Sequence, residues 1–110
     1  MNTVSDATAA LLEWSELSAG QCPDGSISTG LAHVAESAFA QVGVWEHPQG
    51  TSTDVEQDEV FVVLSGSGRV ILQDGTELVL KPGTVGVLEA GTPTTWIIDE
   101  PLRKVWIAPR

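Results

Sequence analysis

The 110-residue chain has room for one domain and one core, so any site must lie in that core or be shared with a second copy. Its formal net charge of −10, with only five Lys and Arg, argues against nucleic acid and anionic membrane surfaces, which bind through basic side chains. Cys22 is the only cysteine, which excludes an intrachain disulfide and a cysteine-rich metal site and fits a reducing compartment.

The N-terminus lacks the basic start and apolar run of a signal peptide, and no stretch approaches the roughly 18 apolar residues of a membrane span. The expectation is a soluble cytoplasmic protein. Residues 1–30 read as an arm and loop ahead of a barrel over residues 31–110. Within the arm, Ser5 to Leu17 fits a short helix capped by Ser5 or Asp6, and equally an extended strap that lays Leu12 and Trp14 on the domain or on a second subunit. Ala19 to Gly30, with Pro23, Asp24 and several serines and glycines, reads as loop.

From Gly30 onward, short apolar runs separated by turn residues predict an all-β sandwich or barrel. The predicted strands are Leu31–Ala35, Phe39–Glu46, Glu59–Leu64, Arg69–Gln73, Thr76–Leu80, Thr84–Leu88, Thr94–Ile98 and Arg103–Ala108. Asp74-Gly75 predicts a type I′ hairpin, and Gly66-Ser67-Gly68 a turn between strands. The Glu59 strand is apolar on both faces, with Phe61 and Val63 on the side of Glu59 and Val60, Val62 and Leu64 opposite. A strand of this kind is covered from outside as well, and a chain this short points to a homodimer partner for that cover.

Glu59, separated by six residues from Gly66, and then Gly83 to Gly91 with Glu89 inside it, match the order and spacing of the two cupin motifs. Together with Gly43-Val44-Trp45-Glu46, Asp58-Glu59-Val60-Phe61, Thr95-Trp96 and Leu102-Arg103-Lys104, the string resembles small single-domain cupins related to ureidoglycine aminohydrolase and the ethanolamine-utilisation cupins over about residues 31–108. The resemblance implies a cupin-type double-stranded β-helix, a jelly-roll barrel. It also implies a metal held by three histidines and a glutamate. Here the paired histidine positions fall at Thr53 and Val55, or at Ser52 and Asp54, and the third at Thr94, so only Glu59 of the four is retained.

One carboxylate cannot hold a transition metal, which needs several convergent imidazole or oxygen ligands. The expectation is therefore no cofactor; a metal, if bound, would draw on Glu59, His47 and Asp54, although a solvated His47 at its strand end is the simpler reading. A barrel carboxylate without metal needs another partner, with Lys104 first and Arg103 second. Glu46, Glu59, Thr94 and Trp96 are the candidate ligand-binding residues, Trp96 being equally a core filler. Trp45 and Trp106 read as packing, and the acidic run Asp54, Glu56, Asp58 as an exposed loop. Neither a nucleophile with its base nor a phosphate-cradling glycine loop is present. Three functions follow: a barrel that binds a small polar metabolite; a metal-independent isomerase or lyase with Glu59 as base and Lys104 as electrostatic partner; and a structural or regulatory dimer with a filled core.

Overall fold

A computed structural model describes residues 2–110. The chain forms β1 (Glu13–Glu16), a 3-10 turn (Ala19–Gln21), β2 (Ser28–Glu36), β3 (Ala40–His47), β4 (Gly50–Val55), β5 (Glu59–Leu72), β6 (Glu77–Leu80), β7 (Val85–Leu88) and β8 (Pro93–Pro109). All strand pairing is antiparallel. The long strands β5 and β8 run through both halves of a sandwich. Their first and last halves respectively pair in the order β1-β2-β3-β8-β5-β7, and their other halves in the order β4-β8-β5-β6.

The two long strands replace four shorter predicted ones. Gly66-Ser67-Gly68 is no turn: the strand continues through it with register shifts between Val63 and Gly68, the signature of bulges that bend β5 from one half into the other. Gly66 has φ +89°, and a Cβ there would collide with the Pro101 backbone, so only glycine permits this approach. Pro101 lies within β8, at the same crossing. The predicted β-hairpin at Asp74-Gly75 exists, with a different turn. Asp74 does not have positive φ; the Gly75 N–H reaches the Leu72 carbonyl and Gly75 alone is left-handed, the three-residue loop with a glycine bulge.

β4 has no counterpart among the predicted strands, because its sequence, Gly-Thr-Ser-Thr-Asp-Val, carries little apolar signal. It forms because β8 offers it a partner along Pro93–Ile98. The N-terminal segment takes the extended course, not the helical one. β1 pairs with β2, and Leu12 and Trp14 lie over Gly30, where a Cβ would meet both side chains. Farther up, the Arg103 guanidinium donates to the carbonyls of Ala7, Thr8 and Ala10, at 3.1–3.2 Å, while its Nε pairs with Glu46 at 2.9 Å.

Phe61, Val63, Val70, Leu80, Leu88, Trp96, Ile98, Leu102 and Trp106 make one core between the halves. The inward set on β8 therefore alternates as Thr94, Trp96, Ile98 and then Leu102, Lys104, Trp106. The outer side of β5 is not covered by the described residues. Val60 is 39 % exposed, and its neighbours on that face, Val85, Val87 and Ile107, are 65 %, 66 % and 37 % exposed.

The contrast between two glycines tests the crossing. Gly66→Ala is expected to lower the unfolding free energy by about 2–3 kcal/mol, from positive φ and a backbone collision together. Gly75→Ala, with the same φ and open space around its Cα, is expected to cost about 1 kcal/mol. Urea denaturation of the two variants measures both.

Candidate functional site

Between the halves lies a cavity of about 470 Å³. Leu31, His33, Gln41 and Trp45 enter from β2 and β3, Glu59 from β5, and Lys104, Trp106 and Trp96 from β8; the connection Asp54–Asp58 closes one side. A larger hollow of about 590 Å³ lies against Gln21, Thr53–Val55, Leu72 and Pro93–Thr95, and Asp54 is its only charged residue. The chemistry converges in the first.

At the centre of that cavity wall, Lys104 Nζ donates to Glu59 Oε2. The ammonium also lies 4.6 Å from the ring centroid of Trp96 and 4.7 Å from those of Trp45 and Phe61. Lys104 is only 4 % exposed. An ammonium removed from water needs compensation, and here a carboxylate and three ring faces provide it. Strand alternation sorts the two adjacent cations: Lys104 faces in with Leu102 and Trp106, and Arg103 faces out.

That sorting also corrects the placement of Glu46. It stands opposite Arg103 in the β3–β8 register and pairs with it on the outer face, away from the cavity. His47 is not solvated; it is fully buried. Its Nδ1 lies 2.6 Å from the Pro48 carbonyl, which can only accept, so Nδ1 carries the proton and the neutral Nε2 accepts from Ser52 Oγ at 2.8 Å. Trp45 and Trp106 line the cavity as well as packing. Thr94 and Trp96 are buried, and both are engaged by a residue of the acidic connection between β4 and β5.

That residue is Glu56, only 6 % exposed. Thr94 Oγ1 donates to its Oε2 at 2.5 Å and Trp96 Nε1 to the same oxygen at 3.0 Å. Oε1 has no hydrogen-bond partner among the described residues. An acidic run flanked by polar residues carries no signal that one member turns inward; only the path from β4 into β5 decides it. Asp58, in the same run, is exposed and accepts from the Ala90 N–H at 2.9 Å. Asp54 bonds only its neighbour's N–H, Val55 at 2.8 Å. Burial pushes the Asp54 carboxyl above its ordinary range; Glu56 adds to the rise, and the Val55 N–H and Lys104 oppose it.

Residues 24–106 match the family described as the EutQ-like cupin domain. The chain is a cupin of that family. No protein of curated function matches it by sequence. Among solved structures, the EutQ protein of Clostridium difficile superposes with a TM-score of 0.67 at 16 % identity, covering 76 % of this chain and 68 % of that one. The polyketide cyclase RemF of Streptomyces resistomycificus gives 0.69 at 18 % identity, covering 99 % and 80 %. A protein of unknown function from Pseudomonas syringae gives 0.78 at 19 % identity, covering 93 % of this chain and 45 % of that one. These likenesses establish the cupin fold, all-β and antiparallel.

The cupin metal set of three histidines and a glutamate does not fit the side chains present. Of the two possible alignments, the register places Ser52 opposite buried Trp96 and Asp54 opposite buried Thr94; Ser52 is itself buried, and Asp54 stays exposed toward the end of β4. Ser52 is engaged by His47, Thr94 by Glu56, and Glu59 by Lys104. His47, Asp54 and Glu59 are not gathered into one ligand set; among the described residues no group of three or more His, Cys, Asp or Glu side chains is placed to hold a metal ion. No helix of the described residues is long and apolar enough to cross a membrane.

His47 gives the site a pH signature. Burial holds its imidazole below the ordinary value of 6.5, with the Pro48 contact opposing in part, so folding favours the neutral ring. The unfolded chain then binds more protons in the window between the lowered value and 6.5. Its contribution is full above that window and is lost as pH falls through it. Urea midpoints recorded from pH 7.5 to about 5 are expected to decline in the parent chain, and to decline less in His47→Gln.

Proposed function

We propose that this cupin binds a small polar metabolite in its barrel cavity, at the Glu59–Lys104 pair, without the family's three-histidine metal site. The observation that carries the reading is the ion pair itself, set among aromatic rings on the wall of a cavity of about 470 Å³. A core filled by its own side chains would leave no such space, and cavities of this size take metabolite-sized ligands. Glu59, Lys104, Trp96 and Thr94 form the binding set, and Glu56 joins them by holding the last two.

A metal-independent isomerase or lyase is the second reading, and the same pair favours it. Glu59 would take a proton from the substrate, and the Lys104 ammonium would stabilise negative charge developing on a substrate oxygen. Release of Glu59 from Lys104 by the incoming substrate is what would free the base.

Thermal-shift screening against a broad metabolite panel tests the binding reading. Stabilising hits are expected, and Glu59→Gln and Lys104→Met are expected to weaken each hit at least about tenfold, the loss of a charge-assisted bond. A panel without hits on the well-folded parent sinks the proposal. Turnover that survives chelation and disappears in Glu59→Gln establishes the catalytic form; turnover that requires an added divalent metal overturns the metal-free reading.

We further propose that the chain is a cytoplasmic homodimer, with a second copy over the open outer side of β5, β7 and β8. Val60, Val85, Val87 and Ile107 supply an apolar face there, beyond the reach of the N-terminal strap. Native mass spectrometry is expected to give a dimer that Val85→Glu combined with Val87→Glu converts to monomer. A monomer at micromolar concentration in the parent chain ends this idea.

A further inference from the structure

The chain has two lysines, and their surroundings are opposite. Lys81 is exposed in the turn between β6 and β7. Lys104 is 4 % exposed and stands in the middle of β8, fixed between β3 and β5. Its partner Glu59 and two of the three rings around its ammonium, Trp45 and Trp96, line the cavity of about 470 Å³ together with it; the third ring, Phe61, packs in the core behind. The ammonium is therefore part of the cavity wall. It carries three N–H donors, of which Glu59 accepts from one, and no other acceptor among the described residues bonds it.

A lysine kept from water, beside a carboxylate that takes its proton and returns it, is equipped to attack a carbonyl carbon. The atoms balance within the pair. Glu59 takes one proton and frees the nitrogen lone pair, and the C–N bond forms as the C=O bond opens. By way of Glu59 the carbonyl oxygen then receives two of the three ammonium hydrogens and leaves as water, while the third stays on the nitrogen of a protonated imine. That product carries the same single positive charge as the ammonium, so the carboxylate and ring faces that compensate the one compensate the other. No oxidant, reductant or net proton is needed.

Glu56 bears on which carbonyl compounds fit. The indole of Trp96 has Lys104 over its ring, 4.6 Å from the centroid, and Glu56 at its N–H edge, at 3.0 Å. Trp96 and Thr94 both donate to Oε2 of Glu56, which leaves Oε1 without a partner. Among the described residues only the Trp106 indole nitrogen is both fully enclosed and unpartnered, so Glu56 Oε1 reaches open space, and the cavity is the space that Glu56 lines. A carboxylate oxygen accepts, and a hydroxyl next to the carbonyl is a donor suited to it.

We infer that Lys104 forms a protonated imine with a small hydroxy-aldehyde or hydroxy-ketone in the cavity, the hydroxyl donating to Glu56 Oε1. This goes beyond the binding reading, in which Lys104 stays an ammonium, and beyond the isomerase or lyase reading, in which it acts by its charge alone.

Cyanoborohydride, which reduces an imine to a stable amine, tests this on the parent chain. The probes are glycolaldehyde and propionaldehyde, which differ by a hydroxyl in place of a methyl; peptide mass spectrometry locates the adduct, and exposed Lys81 is the internal reference. Glycolaldehyde is expected to label Lys104 at least roughly tenfold faster than Lys81, the advantage of a positioned amine, and urea is expected to abolish that preference. With propionaldehyde the ratio of Lys104 to Lys81 labelling is expected to fall to about a tenth of its glycolaldehyde value, the loss of a charge-assisted hydrogen bond, and Glu56→Gln is expected to bring the two ratios together. If Glu56→Gln fails to fold, the two aldehydes on the parent chain decide. Label confined to Lys81 and the amino terminus, equal rates at the two lysines, or no adduct overturns the imine, and equal ratios for the two aldehydes overturn the role of Glu56. Thermal-shift hits without a trapped adduct would then leave the noncovalent reading standing alone.

Discussion

A lysine ammonium placed inside a β-barrel has to be compensated, and the arrangement of the whole interior follows from how Lys104 is. Glu59 meets it from the neighbouring strand, and Trp45, Phe61 and Trp96 surround it from three strands. The pair is brought together by the β5–β8 ladder, where Val63 stands opposite Lys104 and Phe61 opposite Trp106. That ladder is made continuous by the glycine-bearing bend at Gly66 and Gly68, where the two long strands pass closely from one half of the sandwich to the other. A defect at the bend would thus reach the charge pair, because the same strands carry both.

Lys104 also accounts for how a cupin can keep its characteristic glutamate without the histidines. In the three-histidine, one-glutamate set that the cupin resemblance implies, a metal would neutralise that carboxylate; here a side chain of the same chain does so. The freed positions have been taken up by other pairs: Ser52 with His47, and Thr94 with Glu56. Each is satisfied locally, as buried polar groups must be. The result is a polar interior divided among pairs, in which Glu56 is the buried carboxylate held by neutral donors alone. That distribution is what gives the cavity its electrostatic character.

On the outside, Arg103 plays a separate role. Its neighbour in sequence is the buried Lys104, yet strand alternation sends the two cations to opposite faces. Arg103 ties Glu46 to three carbonyls of the N-terminal strap, holding an otherwise exposed segment against the sheet. The strap reaches only part of that face, and the valines of β5 and β7 remain open beyond it.

The all-β architecture and most of the strands were legible in the residues, because period-two alternation and glycine or proline punctuation are local signals. The spacing from Glu59 to Gly66 and from Gly83 to Gly91 was enough to identify the cupin family. What tertiary structure alone decided lies where local signals are weak or ambiguous. β4 is too polar to be read as a strand and exists through its pairing with β8. Gly66-Ser67-Gly68 has the composition of a turn and becomes a bend only because Pro101 lies against it. Glu46 and Glu59 are both carboxylates on apolar strands, and register sends one out to Arg103 and the other in to Lys104. Glu56 sits in an acidic run with no periodicity, so its burial depends on the path of a connection between strands, a property of the folded chain and not of any window of its sequence.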